Sequence, residues 1–382
     1  MRNHVPFGSI CTLQNGRAFK SSEWSDQGTP IIRIQNLNNE SKPFNYCNFE
    51  VEARFQVNSG DLLFSWSGTP GTSFGAFFWN RGKGFLNQHI FRVDVDEKAT
   101  DKDYLRHAIN SKLSMIIEQA HGGVGLKHIT KGKLEAIEIY YPDLPTQKHI
   151  AAILNKADAI RRKRLQAIDL ADQFLQSVYL NMFETSTTDA TNKAQLGNLV
   201  AIDAPMVDPR DEQYLDMLHI GSDRIEKGTG KLLEAITARE EGLISKKFLF
   251  DENYVLYSKI RPYLKKCALA QGTGLCSADM YPIRPLEGKI TREFLWRLLL
   301  SDEFTRYTES LPTRANIPKL NRKELEAFEF VNPDYEKQQQ FSEIVRALNS
   351  SLVKFESSAN LADQAFSALS QRAFSGELQL SA

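Results

Sequence analysis

Between residues 341 and 373, apolar side chains recur in steps of four and three, at Phe341, Val345, Leu348, Leu352, Phe355, Ala359, Ala362, Phe366, Leu369 and Ala373. A 3.5-residue period predicts a long helix with a narrow seam that lies against another helix. The same phase occurs 191 residues earlier, at Ile150, Leu154, Ala157, Arg161, Arg164, Ile168, Ala171, Leu175, Val178 and Met182. The partner helix is therefore expected in the same chain, with two arginines set into its seam. The long stretch between the two helices favours antiparallel pairing around a pseudo-twofold axis. From 150 to 182 the first helix would span about 50 Å at 1.5 Å per residue. An axis near Gln166 and Ser357 would set Ala157 against Phe366, Ile150 against Ala373 and Ala171 against Leu352, so that large faces small. It would also set Arg161 and Arg164 against Ala362 and Ala359. The run Arg161, Arg162, Lys163, Arg164 reads either as a solvated patch whose stems lie along the helix, or as a basic belt for phosphates or a partner.

The repeat extends beyond the seam. Residues 134–139 (Leu-Glu-Ala-Ile-Glu-Ile) match 325–330 (Leu-Glu-Ala-Phe-Glu-Phe), Pro142-Asp143 match Pro333-Asp334, Gln147 matches Gln338, and 170–173 match 361–364, all at the same offset. A strand, a proline-marked turn and a long helix are used twice, an internal repetition that governs the rest of the reading.

Shorter patterns fill the intervening stretches. Residues 30–34, 61–65 and 90–93 read as strands between Gly, Asn, Ser and Pro punctuation. A helix is expected over 103–119 with Tyr104, Leu105, Ala108, Ile109 and Ile116 inward, then a loop, then a strand over 134–140. Pro142 and Pro145 stop that strand, Thr146 is placed to cap the long helix, and Gly376 to end the second one. The later stretch repeats the plan: 196–199 resembles 7–10, 255–258 resembles 62–65, and 293–309 resembles 103–119, with loops that differ. A shared frame under dissimilar loops suggests one scaffold carrying two recognition surfaces. The expected fold class is α/β (α+β), with two tandem globular modules separated by an antiparallel pair of coiled-coil-like helices. The divisions fall at 1–145, 146–184, a polar linker 185–193, 194–333, 334–375 and a tail 376–382.

Composition adds limits. The chain has 382 residues, 47 Lys plus Arg against 47 Asp plus Glu, and four cysteines, Cys11, Cys47, Cys267 and Cys276, without metal-ligand spacing. Balanced charge means that any nucleic-acid site must come from local clustering. The cysteine pattern suits reduced thiols in the cytoplasm. No apolar run approaches the ~20 residues of a membrane span.

Two variable modules, each followed by a strand, a Pro-led turn and a long helix, resemble the specificity subunits of type I restriction-modification systems. The likeness covers nearly the whole chain and rests on Asp61-Leu62-Leu63-Phe64-Ser65, on 134–142 with Gln147, and on 325–333 with Gln338. Members commonly carry Glu before that glutamine, where this chain has Thr146 and Lys337. The resemblance implies a non-catalytic DNA reader. Each module would contact one half of a bipartite, asymmetric site in double-stranded DNA, and the helix pair would set the spacer. The helices would bind two modification subunits, and the complex would recruit restriction subunits. S-adenosylmethionine, ATP and Mg belong to those partners, and this chain would hold no cofactor.

On that reading, Asn and Gln suit adenine and Arg suits guanine, while Lys meets phosphate. Candidates in the first module are Arg33, Gln35, Asn36 and Asn38, then Ser65, Ser67 and Thr69, then Lys127, His128 and Lys131. In the second they are Lys259, Arg261, Lys265 and Lys266, then Arg314, Asn316, Lys319 and Arg322, with Lys323, Tyr257 and Tyr263 nearby. Ordinary solvated loop charge is the alternative. Two other functions compete with the DNA reader: a coiled-coil scaffold with protein-binding modules, and a stand-alone DNA adenine methyltransferase. Asn332-Pro333-Asp334-Tyr335 lacks the third residue of an N-P-P-Y motif and repeats 141–144, so it reads as a helix start. Gly68 to Ser73 lacks the phosphate-loop lysine, Gly122 to Gly125 opens no helix, and the histidines lack metal-ligand spacing.

Overall fold

The computed structural model describes residues 4–68, 74–120, 127–183, 193–312 and 317–378. The chain divides into two compact units, 1–165 with 357–382, and 166–356, so each long helix gives half its length to each unit.

The first unit is built on a four-stranded antiparallel sheet in the order Cys11–Asn15, Ile90–Val95, Asp61–Ser65, Gly75–Trp79. Leu62, Phe64, Phe91 and Val93 point into its core, as alternation along a half-buried sheet requires. A second sheet runs Asn45–Cys47, Thr29–Ile32, Gly84–Leu86, Gln56–Val57, with the middle pair parallel. The second unit repeats the first sheet as Val200–Ala201, Met280–Pro285, Val255–Ser258, Cys267–Leu269. Its other sheet, His219–Ile220, Gly274–Cys276, Lys247–Phe250, Met206–Val207, keeps one parallel pair, His219–Ile220 with Gly274–Cys276, but this pair stands at an edge because the extra strand is added on the opposite side. The two units thus share a frame and diverge at a sheet edge.

Each frame is closed the same way. His4–Pro6 pairs with Glu138–Tyr140, and Lys193–Gln195 with Glu329–Val331. After each opening strand a glycine lies against a short helix. A Cβ on Gly8 would stand 2.6 Å from Glu135 Cβ, and one on Gly197 2.9 Å from Glu326 Cβ. The repeated Phe-Gly and Leu-Gly pairs therefore mark a close approach that only glycine permits.

The stretch expected as one strand over 134–140 is a helical turn, Lys131–Glu135, followed by the strand Glu138–Tyr140, and its repeat is Arg322–Glu326 followed by Glu329–Val331. In the second copy Asn321 caps the turn by accepting from Glu324 N–H at 2.9 Å. The helices expected over 103–119 and 293–309 are each broken in two. They are Lys102–Asn110 with Leu113–Gln119, and Arg292–Leu299 with Asp302–Ser310. The second break is set by Ser301, whose hydroxyl accepts from Phe304 N–H at 3.1 Å and starts a new helix.

The long helices are Leu144–Phe183 and Tyr335–Phe374, 40 residues each or about 60 Å. Thr146 does not cap the first. The helix begins two residues earlier, and the Asp143 carboxylate accepts from Thr146 N–H at 3.1 Å; the Thr146 hydroxyl first, and then this N–H, hold the Asp143 pKa down. Gly376, at φ +73°, ends the second in a left-handed turn. Gln147 and Gln338 are fully buried and perform one task twice. Their amide oxygens accept from Asp101 N–H at 3.0 Å and Thr291 N–H at 2.9 Å, and their amide nitrogens donate to the Pro142 and Pro333 carbonyls at 2.8 Å. Each ties the first turn of its long helix to the helix of its own module.

In the first unit Ile150, Leu154, Phe366, Leu369 and Ala373 share the module's core. Arg161 meets Asp363 at 3.2 Å with its guanidinium 4.9 Å above Phe366, and Gly376, just past the second helix, lies against Tyr140, just before the first, so the two helix halves run antiparallel. Arg161 and Arg162 also pair with the buried carboxylate of Asp158, at 2.9 and 3.1 Å, while Lys163 and Arg164 are exposed. In the second unit Leu175, Val178, Phe341, Val345 and Leu348 lie in its core, and Ile168, Leu352 and Phe355 are half-buried. Tyr179 and Phe183, one position off the predicted seam, pack on Phe341 at 5.8 and 5.5 Å and on Phe294. There the helix answers both its partner helix and the module, so its apolar face widens.

Candidate nucleic-acid interface

In the second unit the strand Val255–Ser258 runs into a turn whose backbone is bound to the segment before the last short helix. Lys259 C=O accepts from Leu320 N–H at 2.9 Å, Arg261 N–H donates to Pro318 C=O at 2.8 Å, and Lys259 N–H donates to Asp279 C=O at 3.1 Å. This brings Lys259, Arg261, Lys265 and Lys319 onto adjoining turns. Arg261 and Lys265 both take left-handed conformations, φ +50° and +49°, on either side of Pro262–Leu264. Arg261 is exposed and makes no ion pair among the described residues. Lys265 pairs with Asp302, and Lys319 lies 3.5 Å from Asp279. Lys259 donates to Ala278 C=O, with its ammonium 5.1 Å above the Tyr281 ring. Burial, and next Lys319, lower its pKa.

Two other nominees are held elsewhere. Lys266 is half-buried and donates to Ser222 C=O at 2.6 Å. Arg322 pairs with Glu326 at 2.8 Å and donates to Ile202 C=O. Lys323 is exposed, and so is half of the Tyr263 ring, whereas Tyr257 is a core residue. Arg314 and Asn316 lie outside the described residues.

In the first unit the nominees form two sets. Arg33 donates to Asn45 Oδ1 at 2.9 Å and stacks on Trp24 at 5.1 Å, Gln35 donates to Pro43 C=O, and Asn38 is exposed. Asn36 is a correction. It is buried, its Oδ1 accepts from Arg33 N–H, and its Nδ2 donates to the Lys42 and Pro43 carbonyls, so its amide is spent on shaping the loop. The other set surrounds a short ladder in which Ser67 pairs with His128 and Gly68 with Lys127. Ser65 is the second correction: fully buried, it donates within its own turn to Ser67 C=O, as Ser258 does to Ile260 C=O. His128 is exposed. Lys131 is exposed too, and its ammonium donates to Leu13 C=O at 2.9 Å. Thr69, the Gly68 to Ser73 turn beyond its first residue, and Gly122 to Gly125 lie outside the described residues.

Sequence reasoning passed over Trp66 and Asp279 and read His89 only as a hydrogen-bonded or exposed histidine without metal-ligand spacing. Trp66 and His89 meet edge-on at 5.0 Å, and Trp66 Nε1 and His89 Nδ1 are buried with no hydrogen-bond partner among the described residues. His89 has φ +76°. An unstrained reading of a lone histidine or tryptophan gives no cue to this, since the signal is conformational.

No group of three His, Cys, Asp or Glu side chains gathers for a metal ion, and no helix is long and apolar enough to cross a membrane, among the described residues. Exposed apolar side chains remain on the long helices: Ile160, Leu165 and Leu361 in the first unit, and Leu170, Phe174 and Val353 in the second.

Residues 3–170 and 215–361 match the family model of the type I restriction modification DNA specificity domain. The chain is 26% identical to the type I restriction enzyme EcoDI specificity subunit of Escherichia coli, over 89% of this chain and 83% of that protein. It is 27% identical to the EcoBI specificity subunit of the same organism, over 46% and 37%. Among solved structures, the type I restriction-modification S subunit from M. genitalium superposes with a TM-score of 0.61 at 13% identity, covering 99% of this chain and 96% of that one, which speaks for the fold. With two matched domains on a duplicated frame, the chain belongs to the DNA specificity subunits of type I restriction-modification systems, which recognise DNA and are not themselves catalysts.

Proposed function

We propose that each unit reads one half of a bipartite, asymmetric duplex site, and that the paired long helices set the unspecified spacer between the halves. The observation that carries this reading is a single frame built twice, closed by the same glycine and the same buried glutamine, under loops that differ in charge and shape. A frame held constant while its loops vary suits two readers of unlike sequence. The exposed basic groups Arg261, Lys319 and Lys323 in one unit, and exposed Lys131 with half-buried Arg33 in the other, supply phosphate contacts and base donors. The exposed apolar side chains on the helices, Ile160 and Leu165 or Leu170 and Phe174, are where two modification subunits dock. S-adenosylmethionine for methylation, and ATP and Mg for the restriction subunits, belong to those partners, and the assembly works on DNA in the cytoplasm.

Selection from a random-sequence duplex pool by the full chain with its modification subunits tests the reading. The expected product is two short blocks at a constant gap. Absence of any enriched sequence would remove it and favour protein-binding modules.

A further inference from the structure

The two units contain one backbone junction twice, and the polar and aromatic side chains on it differ. In the first, Trp66 N–H donates to His89 C=O at 3.1 Å, Ile129 N–H donates to Trp66 C=O at 3.1 Å, and Ser67 pairs with His128. In the second, Lys259 N–H donates to Asp279 C=O at 3.1 Å, Leu320 N–H donates to Lys259 C=O at 2.9 Å, and Ile260 bridges to Lys319. The frame behind is the same as well. Asn87 N–H donates to Ile32 C=O as Ser277 N–H does to Ile220 C=O. Trp66 therefore corresponds to Lys259, His89 to Asp279 and His128 to Lys319.

Three observations make this junction more than a turn. His89, Arg261 and Lys265 are the non-glycine residues with positive φ among the described residues; His89 lies at the junction and Arg261 directly after it, while Lys265 lies on the next turn, outside it. Such strain persists where the surrounding structure over-determines it, and functional sites are where it clusters. Trp66, His89 and the neighbouring Asn87 each hold a buried polar side-chain atom without a partner among the described residues. The chemistry also changes outright from one unit to the other, from an indole and two imidazoles to two ammonium groups and a carboxylate. Phosphate contacts carry no sequence information and would favour the same cations in both units.

Building on the DNA-reading function above, we infer that this junction is a base-reading position in each unit. Asp279, flanked by Lys259 and Lys319, accepts from an exocyclic amino group in the second, and His128, beside His89 and Trp66, donates to an acceptor base edge in the first. A carboxylate near the duplex is repelled by phosphate. Its compensating contact is an amino donor at cytosine N4 or adenine N6, which a carboxylate suits. An imidazole N–H has the opposite preference and suits the acceptors of guanine.

The test is selection from a random duplex pool by the full chain with its modification subunits, comparing wild type with Asp279→Asn and His128→Ala. Both side chains are exposed, and a thermal melt checks that each variant folds. Asp279→Asn is expected to relax or change one position of one block by about tenfold or more. His128→Ala is expected to do so in the other block only. Lys265→Ala, outside the junction, should instead weaken all sequences alike and flatten the salt dependence. A wild-type motif of two blocks that both variants reproduce unchanged, or a uniform loss of affinity in both, overturns the inference while leaving the DNA-reader function standing. A wild type that selects no motif removes both.

Discussion

His107 shows how a side chain outside the proposed DNA-contacting loops contributes a pH dependence to the stability of its unit. It is buried on the module helix, with Nε2 2.8 Å from Asn155 Oδ1 on the long helix and its ring 5.9 Å from Phe366. Arg106, Asp103 and Asp158 also face it, and burial first, then Arg106, push its pKa below the ordinary value. The unfolded chain protonates this imidazole near pH 6.5, while the folded one does so only at lower pH. Between those values the unfolded state binds more protons, so its contribution is complete above the unfolded pKa and is lost as pH falls toward the folded one. His89, lowered by burial and by His128, acts in the same direction. Urea unfolding from about pH 7 downward should show a falling midpoint, and His107→Gln should flatten that fall. An unchanged slope in the variant would assign the effect elsewhere. At this scale the sequence was only half legible: Asn36 and Ser65 have the chemistry of base readers, yet burial commits both to their own turns.

At the level of elements, what was legible is what repeats locally. The 3.5-residue period located both long helices, the strand Asp61–Ser65 lies where a β-rich run between turn residues put it, and Val255–Ser258 lies where its likeness to 62–65 put it. The breaks inside the module helices were hidden, because the serine cap at Ser301 stands within a run whose apolar spacing continues through it. Tyr179 and Phe183 were off the predicted seam because a helix that serves two neighbours has two overlapping apolar phases. The glycines that close each frame give a direct test. A methyl group on Gly197 would meet Glu326 Cβ at 2.9 Å and its carbonyl oxygen at 3.1 Å, so the short helix Arg322–Glu326 must shift. Overpacking of this kind costs about 1–3 kcal/mol. Gly197→Ala should lower the denaturant midpoint of the chain accordingly, and Gly132→Ala, with open space around its Cβ position, should not. Equal behaviour of the two would contradict the close-approach reading.

For the whole molecule, the question is whether the units read independently, and the chain's own closure makes that separable. The strand Lys193–Gln195 pairs with Glu329–Val331, so the two ends of segment 194–333 lie side by side and the segment can be exchanged without reopening its sheet. Its contacts with the long helices set the condition for success. Phe294 packs on Tyr179 and Phe183, Arg297 stands 3.8 Å from Asp172, and Gln338 holds Thr291, so a replacement must carry an aromatic, a cation and a backbone donor at those places. Phe7, Leu62 and Phe64 of the first unit belong to a separate core that the exchange does not touch. Mutations in separate cores that share no partners add nearly independently. Exchanging 194–333 for the matching segment of another specificity subunit should therefore replace one block of the selected DNA motif and keep the other block and the gap. Selection from the same random duplex pool reads all three at once. Changes in both blocks would mean that the units share one recognition surface, and a changed gap would mean that the modules, rather than the helices, set the spacing.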